Sequence, residues 1–142
     1  MKHYSFPLMG VMGAFSLPVL AQTSPQKPNV VVIVADDLGY GDLSCYGATA
    51  INTPGMDRIG NEGLRFTQGY CTAATSTPSR YSLLTGLYPW TNTEAKILPG
   101  NAALIINTQQ VTLPKVMKQA GYVTGSVGKW HLGLGDGGVD WN

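Results

Sequence analysis

The first apolar stretch covers residues 6–20, follows Lys2 and His3, and closes on Val19 and Ala21. A basic start, a short apolar centre and small residues at the end predict a secretory signal peptide over residues 1–21, cut after Ala21. The run is too short for a bilayer span and holds Pro7 and Pro18, so no membrane attachment is expected once it is removed. Gln22, not a cysteine, stands directly after the cut, so no thioether lipid anchor is expected at that position. After Asn29 the next run, to Ala35, is apolar and mostly β-branched, the composition of a strand covered on both faces of a parallel sheet, and it stops at Asp36-Asp37. Thr53-Pro54 reads as a cap and first-turn proline of a helix carrying Met56 and Ile59, with Gly63 closing it. Residues 64–70 alternate as a second strand. Residues 76–84 begin with Ser-Thr-Pro and end at Thr85-Gly86, a second helix, and residues 112–120 form a third, closed by Gly121. Residues 122–127 return to strand composition. Strands alternating with helices predict an α/β fold, a mostly parallel sheet flanked by helices, with ligand sites beyond the carboxyl ends of the strands.

Charge alters this picture little. Nine basic side chains face eight acidic ones, for a formal net charge of +1. That balance argues against a nucleic-acid footprint or a polybasic membrane patch. The two cysteines, Cys45 and Cys71, have no zinc-ligand spacing. In an oxidising compartment they either pair or remain as buried free thiols. Residues 22–142 contain no linker or repeat. The ending over 137–142 has neither a terminal helix nor a polar tail and follows directly on a motif with chemistry, which reads as an interrupted domain.

Three features carry that chemistry. Asp36 and Asp37 are adjacent carboxylates at a strand end, and they repel unless a cation lies between them; oxygen donors of this kind suit a hard divalent metal. The plain alternative is an acidic turn. The glycines at 39 and 41 resemble the start of a dinucleotide fingerprint, but Ser44 stands where its third glycine belongs. Ser76-Thr77-Pro78-Ser79-Arg80 presents a hydroxyl at a helix start and a guanidinium one turn on, where free N–H groups and the helix dipole favour an anion. Its alternative is a serine N-cap with a surface arginine. Gly128-Lys129-Trp130-His131-Leu132-Gly133 places a cation and an imidazole two residues apart, on one side of an extended chain, able to grip an anion and move a proton. Val123 and Trp130 exclude a P-loop there.

Together the three motifs resemble the type I sulfatases of the alkaline phosphatase superfamily, from Pro28 through Gly135. Residues 28–42 are similar to that family's opening strand and metal pair. Ser76-x-Pro78-x-Arg80 with Leu84-Thr85-Gly86 is similar to the signature that directs oxidation to formylglycine, and residues 128–133 to its third motif. The resemblance implies hydrolysis of sulfate esters. Formylglycine made from Ser76 is the nucleophile, and the implied metal site, for Ca2+ rather than Mg2+, is Asp36, Asp37 and the modified Ser76. It implies that Arg80 orients the formylglycine hydrate, Lys129 binds a sulfate oxygen and His131 accepts a proton. Many members carry Cys where this chain has Ser76. The serine form implies a radical iron-sulfur maturase as partner, hence a bacterial, periplasmic or secreted enzyme acting on a sulfated small molecule or glycan. Remaining metal ligands and the leaving-group acid are not assignable to any residue. The chain alone is therefore expected to be inactive and poorly folded, with an unpaired sheet edge.

Other readings are a phosphate or phosphonate monoester hydrolase of the same superfamily and a non-catalytic anion- or glycan-binding protein with Ser76 unmodified. A serine hydrolase using Ser76 and His131 lacks the Gly-x-Ser-x-Gly elbow.

Overall fold

The computed structural model describes residues 26–135. The signal segment over 1–21 and the ending over 137–142 lie outside the described residues. These residues form two compact units, divided between Thr53 and Pro54.

In the first unit, the apolar run to Ala35 does not form the expected strand. Val31 is 79% and Ile33 76% exposed, and among the described residues no segment is a strand. A parallel strand draws its stability from ladder partners along its edges and cover on its faces. Among the described residues neither is supplied to this run. Beyond Asp37 the chain tightens into two 3-10 turns, Tyr40–Asp42 and Ser44–Tyr46. The Gly39 N–H donates to Asp42 Oδ2 at 2.6 Å, and a Cβ on Gly39 would stand 2.9 Å from that oxygen. Glycine at 39 is what lets the carboxylate reach the backbone. Ser44 and Thr53 close the following loop, each backbone N–H donating to the other's hydroxyl at 2.9 and 2.8 Å. The Thr53 hydroxyl is thus used in closing this loop.

The second unit contains three helices. Helix α1, Pro54–Glu62, stops where Gly63 returns its N–H to the Ile59 carbonyl. Helix α2, Ser76–Thr85, buries Thr77, Pro78, Tyr81 and Ser82, which share one face at helical spacing. Its cap is Gly86 at φ +70°, donating to Ser82 O at 2.8 Å. Helix α3, Leu113–Gln119, starts after Thr112 with Pro114 in its first turn, as the sequence predicts. Around α2 the core gathers Tyr81, Ala95, Ile106 and Leu132, with Leu84, Leu104 and Ile105 packed against them.

The strands predicted over 64–70 and 122–127 are absent for the same reason as the first. Phe66 is 66% exposed and the Val123 and Val127 side chains are fully so. The long-range backbone pairing lies elsewhere. Leu134 N–H donates to Ala102 O, Leu104 N–H to Gly135 O and Ile105 N–H to Leu132 O, at 2.9 to 3.0 Å. Gly133 makes that pairing possible. Its φ is +82°, and a Cβ there would fall 1.8 Å from the Ala103 carbonyl oxygen. Both cysteines are free thiols, and the buried reading fails: Cys45 is half-buried and Cys71 exposed. Among the described residues no helix is long and apolar enough to cross a membrane.

Candidate active site

Helix α2 brings Ser76 and Arg80 together by construction, because residues four apart share a face. Ser76 is not the N-cap. That position belongs to Thr75, in extended backbone, so Ser76 begins the helix proper. Its hydroxyl is left for two other partners. Arg80 Nε donates to Ser76 Oγ at 2.9 Å, and His131 Nδ1 lies 3.0 Å from the same oxygen. Arg80 also donates through Nη1 to the Lys129 carbonyl at 2.7 Å, so one guanidinium ties the second motif to the third.

The third motif reaches Ser76 through a turn, which corrects the expected extended chain. Gly128 has φ +107° and His131, which carries a Cβ, has φ +54°. An L-residue in that region costs on the order of 1–3 kcal/mol and persists only when its surroundings hold it. Here they do. Thr77, fully buried, donates its hydroxyl to the His131 carbonyl at 2.8 Å. Leu132 is fully buried in the core, and Gly133 is locked under Ala103. The His131 ring is fixed at its far side as well, with Nε2 2.9 Å from the Leu98 carbonyl oxygen. Lys129 stays exposed.

Ser76, Arg80, Lys129 and His131 are therefore brought to one place, by direct contacts among the first, second and fourth and through the main chain of Lys129. Thr77 and Leu98 were missed. Thr77 stood as a spacer inside a motif and could have been noticed as a hydroxyl on the buried face of α2. Leu98 acts through its carbonyl, which no side-chain pattern reveals.

Asp36 and Asp37 belong to the first unit. Both are exposed, and Asp37 has φ +56°. Asp37 and His131 are the only non-glycine residues with positive φ among those described, and each lies in a motif singled out for its chemistry. The paired carboxylates match a hard cation in kind. In number they fall short: no group of three or more His, Cys, Asp or Glu side chains that could hold a metal occurs among the described residues. The next carboxylate, Asp42, already accepts the Gly39 N–H.

A hydroxyl held between a guanidinium and an imidazole at a helix N-terminus can bind an oxyanion and exchange a proton, the working parts of an ester hydrolase. Comparison with known proteins gives the class its family. Residues 28–138 match the Sulfatase family model, and the chain belongs to that family. It is 60% identical over 118 residues to an N-acetylgalactosamine-6-O-sulfatase of Bacteroides thetaiotaomicron, covering 82% of this chain and 23% of that protein. It is 44% identical over 118 residues to human arylsulfatase A, covering 80% and 23%. A solved Bacteroides thetaiotaomicron structure, described in terms of the metabolism of multiple glycosaminoglycans, superposes with a TM-score of 0.77 at 60% identity, covering 80% of this chain and 24% of the other. The chain spans about a quarter of the length of these relatives.

Proposed function

We propose that this chain carries the nucleophile-bearing part of a sulfate ester hydrolase, matured by oxidation of Ser76 to formylglycine. The observation behind the reading is the Ser76 hydroxyl itself, held at once by Arg80 Nε and His131 Nδ1 at 2.9 and 3.0 Å. Conversion of the serine CH2OH to an aldehyde removes two hydrogens, taken up by a radical iron-sulfur maturase. One hydroxyl of the hydrated aldehyde attacks sulfur and displaces the substrate alcohol, which leaves with a proton; deprotonation of the second hydroxyl then breaks the C–O bond to sulfate, expelling sulfate and restoring the aldehyde.

Around that group each side chain has a task. Arg80 fixes the oxygen of residue 76 through Nε. His131 takes the proton at Nδ1, and Lys129 offers a cation to a sulfate oxygen. Asp36 and Asp37, in the first unit, have a task of their own: they would offer hard oxygen donors to Ca2+, a cation suited to sulfate oxygens. The 60% identity to an N-acetylgalactosamine-6-O-sulfatase favours a 6-sulfated amino-sugar glycan as substrate. A signal peptide over 1–21 would deliver the protein to the periplasm or outside the cell.

The test is the mass of the tryptic peptide spanning residues 66–80 after production with a radical maturase. A loss of about 2 Da relative to unmodified serine is expected. An unchanged mass overturns the reading and leaves an anion- or glycan-binding protein. Release of phosphate in place of sulfate from parallel aryl esters would assign the site to phosphate monoesters.

One contact favours a second reading. Ser76 and His131 are within hydrogen-bonding distance, as in a serine hydrolase. In such a triad a carboxylate orients the histidine, whereas the far nitrogen of His131 meets the Leu98 carbonyl.

A further inference from the structure

We propose that Thr77 is a positioning residue for His131: with the Leu98 carbonyl, it holds the ring as the Nε2–H tautomer and presents the bare Nδ1 to residue 76. The inference rests on the sulfatase reading only for the use made of that proton acceptor.

The hydrogen-bond inventory gives the tautomer. A carbonyl oxygen can only accept, so the 2.9 Å contact between His131 Nε2 and Leu98 O requires the hydrogen on Nε2. A neutral imidazole carries one N–H, which leaves Nδ1 as the acceptor. Arg80 Nε can only donate, and it donates to Ser76 Oγ at 2.9 Å. The hydroxyl of residue 76 then directs its own hydrogen at Nδ1, 3.0 Å away. Every donor in this chain meets an acceptor, and the reverse tautomer would set Nε2 and the Leu98 carbonyl lone pair to lone pair.

The ring keeps this aim only while the backbone beneath it keeps a conformation that side chains disfavour. His131 sits at φ +54°. Its carbonyl accepts from Thr77 Oγ1 at 2.8 Å, a contact spanning 54 residues of sequence, and Thr77 is 0% exposed. No water replaces a donor at such a site, so deleting the hydroxyl leaves the His131 carbonyl without that partner. Thr77 adjoins Ser76 on α2. The helix that carries the nucleophile precursor therefore also sets the angle of its proton acceptor, and one segment fixes both partners.

The test is long-range 1H–15N correlation of the imidazoles at a pH where the ring is neutral, on the chain with Ser76 unmodified. The sequence has two histidines, His3 and His131, and His131→Gln identifies the second. The wild-type ring should show protonated Nε2 and bare Nδ1. Thr77→Ser should retain that pattern, whereas Thr77→Val should give the mixed tautomers of the urea-unfolded chain, with helix content by circular dichroism unchanged. Thr77→Ala, which introduces no new bulk, is measured beside it so that a folding failure of the valine variant leaves the comparison intact. A protonated Nδ1 in the wild type overturns the assignment, as does an unaltered pattern in folded Thr77→Ala or Thr77→Val. No turnover is involved, so an absent sulfatase activity leaves this result standing, and a wrong tautomer leaves the 66–80 mass test untouched.

Discussion

His131 Nδ1 lies 3.0 Å from Ser76 Oγ across 55 residues of sequence. The contact joins the first residue of α2 to a left-handed turn that follows Lys129, and Arg80 braces both sides of it. A proton can pass between these two atoms without any side chain changing rotamer. That fixed geometry is where the energetic return of the strained His131 backbone is realised.

Ser76→Ala removes the acceptor shared by Arg80 and His131 and the carbon to be oxidised. The fold should persist, because Ser76 is only half-buried and its side chain caps nothing. The expected outcome on production with the maturase is no mass loss in peptide 66–80 and, in the full-length enzyme, sulfate release at background. Ordinary turnover by the alanine variant would sink the formylglycine mechanism.

Arg80→Lys keeps the charge and loses the planar fork. A lysine cannot reproduce both the Nε bond to Ser76 and the Nη1 bond to the Lys129 carbonyl in that geometry. Losing one charge-assisted bond is worth about 1.5–3 kcal/mol, so in the full-length enzyme sulfate release per formylglycine should fall roughly 10- to 100-fold. The formylglycine content, read from the same peptide mass, separates this effect from poorer maturation. Full activity per modified chain would show that the fork is dispensable.

The helices were legible in the sequence because their ends are written locally: Pro54, the Thr112-Leu113-Pro114 start, and Gly86 and Gly121 at the stops. The Ser76, Arg80 and His131 cluster was legible as two motifs, the second and the third, whose chemistry agreed. The strands were not, and the reason is physical. A β-branched run reports only that a segment would suit a covered sheet, and Val31, Ile33 and Val127 meet no neighbours that provide one. The turn at His131 was unreadable for a different reason. Its left-handed backbone depends on a hydroxyl, a carbonyl and a glycine contact that come from residues 77, 98 and 103, far away in sequence.

Gly133→Ala should be much more damaging than another glycine replacement at positive φ. At Gly86 a Cβ would meet open space, so alanine there pays only the left-handed penalty, about 1–2 kcal/mol. At Gly133 the same penalty is joined by a 1.8 Å clash with the Ala103 carbonyl, which forces the paired segments apart at a further cost of about 1–3 kcal/mol. Amide hydrogen exchange reads this locally. Protection at Ile105 and Leu134, whose N–H groups bond across that pairing, should drop sharply in Gly133→Ala and little in Gly86→Ala. Equal protection in the two variants would contradict the close approach.

Metal removal separates the sulfatase reading from a serine hydrolase. Asp36 and Asp37 are consecutive and exposed, and two carboxylates so placed repel one another unless a cation sits with them. Sulfate release by the matured full-length enzyme should therefore fall to background after chelation and exhaustive dialysis, and return on adding Ca2+. Ca2+ should restore it better than Mg2+, which demands a tighter octahedron and dehydrates reluctantly. Asp36→Asn and Asp37→Asn each remove one charge while leaving an oxygen donor, so each should raise the Ca2+ concentration needed for half-recovery. Peptide 66–80, which contains neither carboxylate, should keep its mass loss in both variants. Turnover that survives chelation and both substitutions would detach the carboxylate pair from the chemistry and return the site to a direct Ser76–His131 hydrolase.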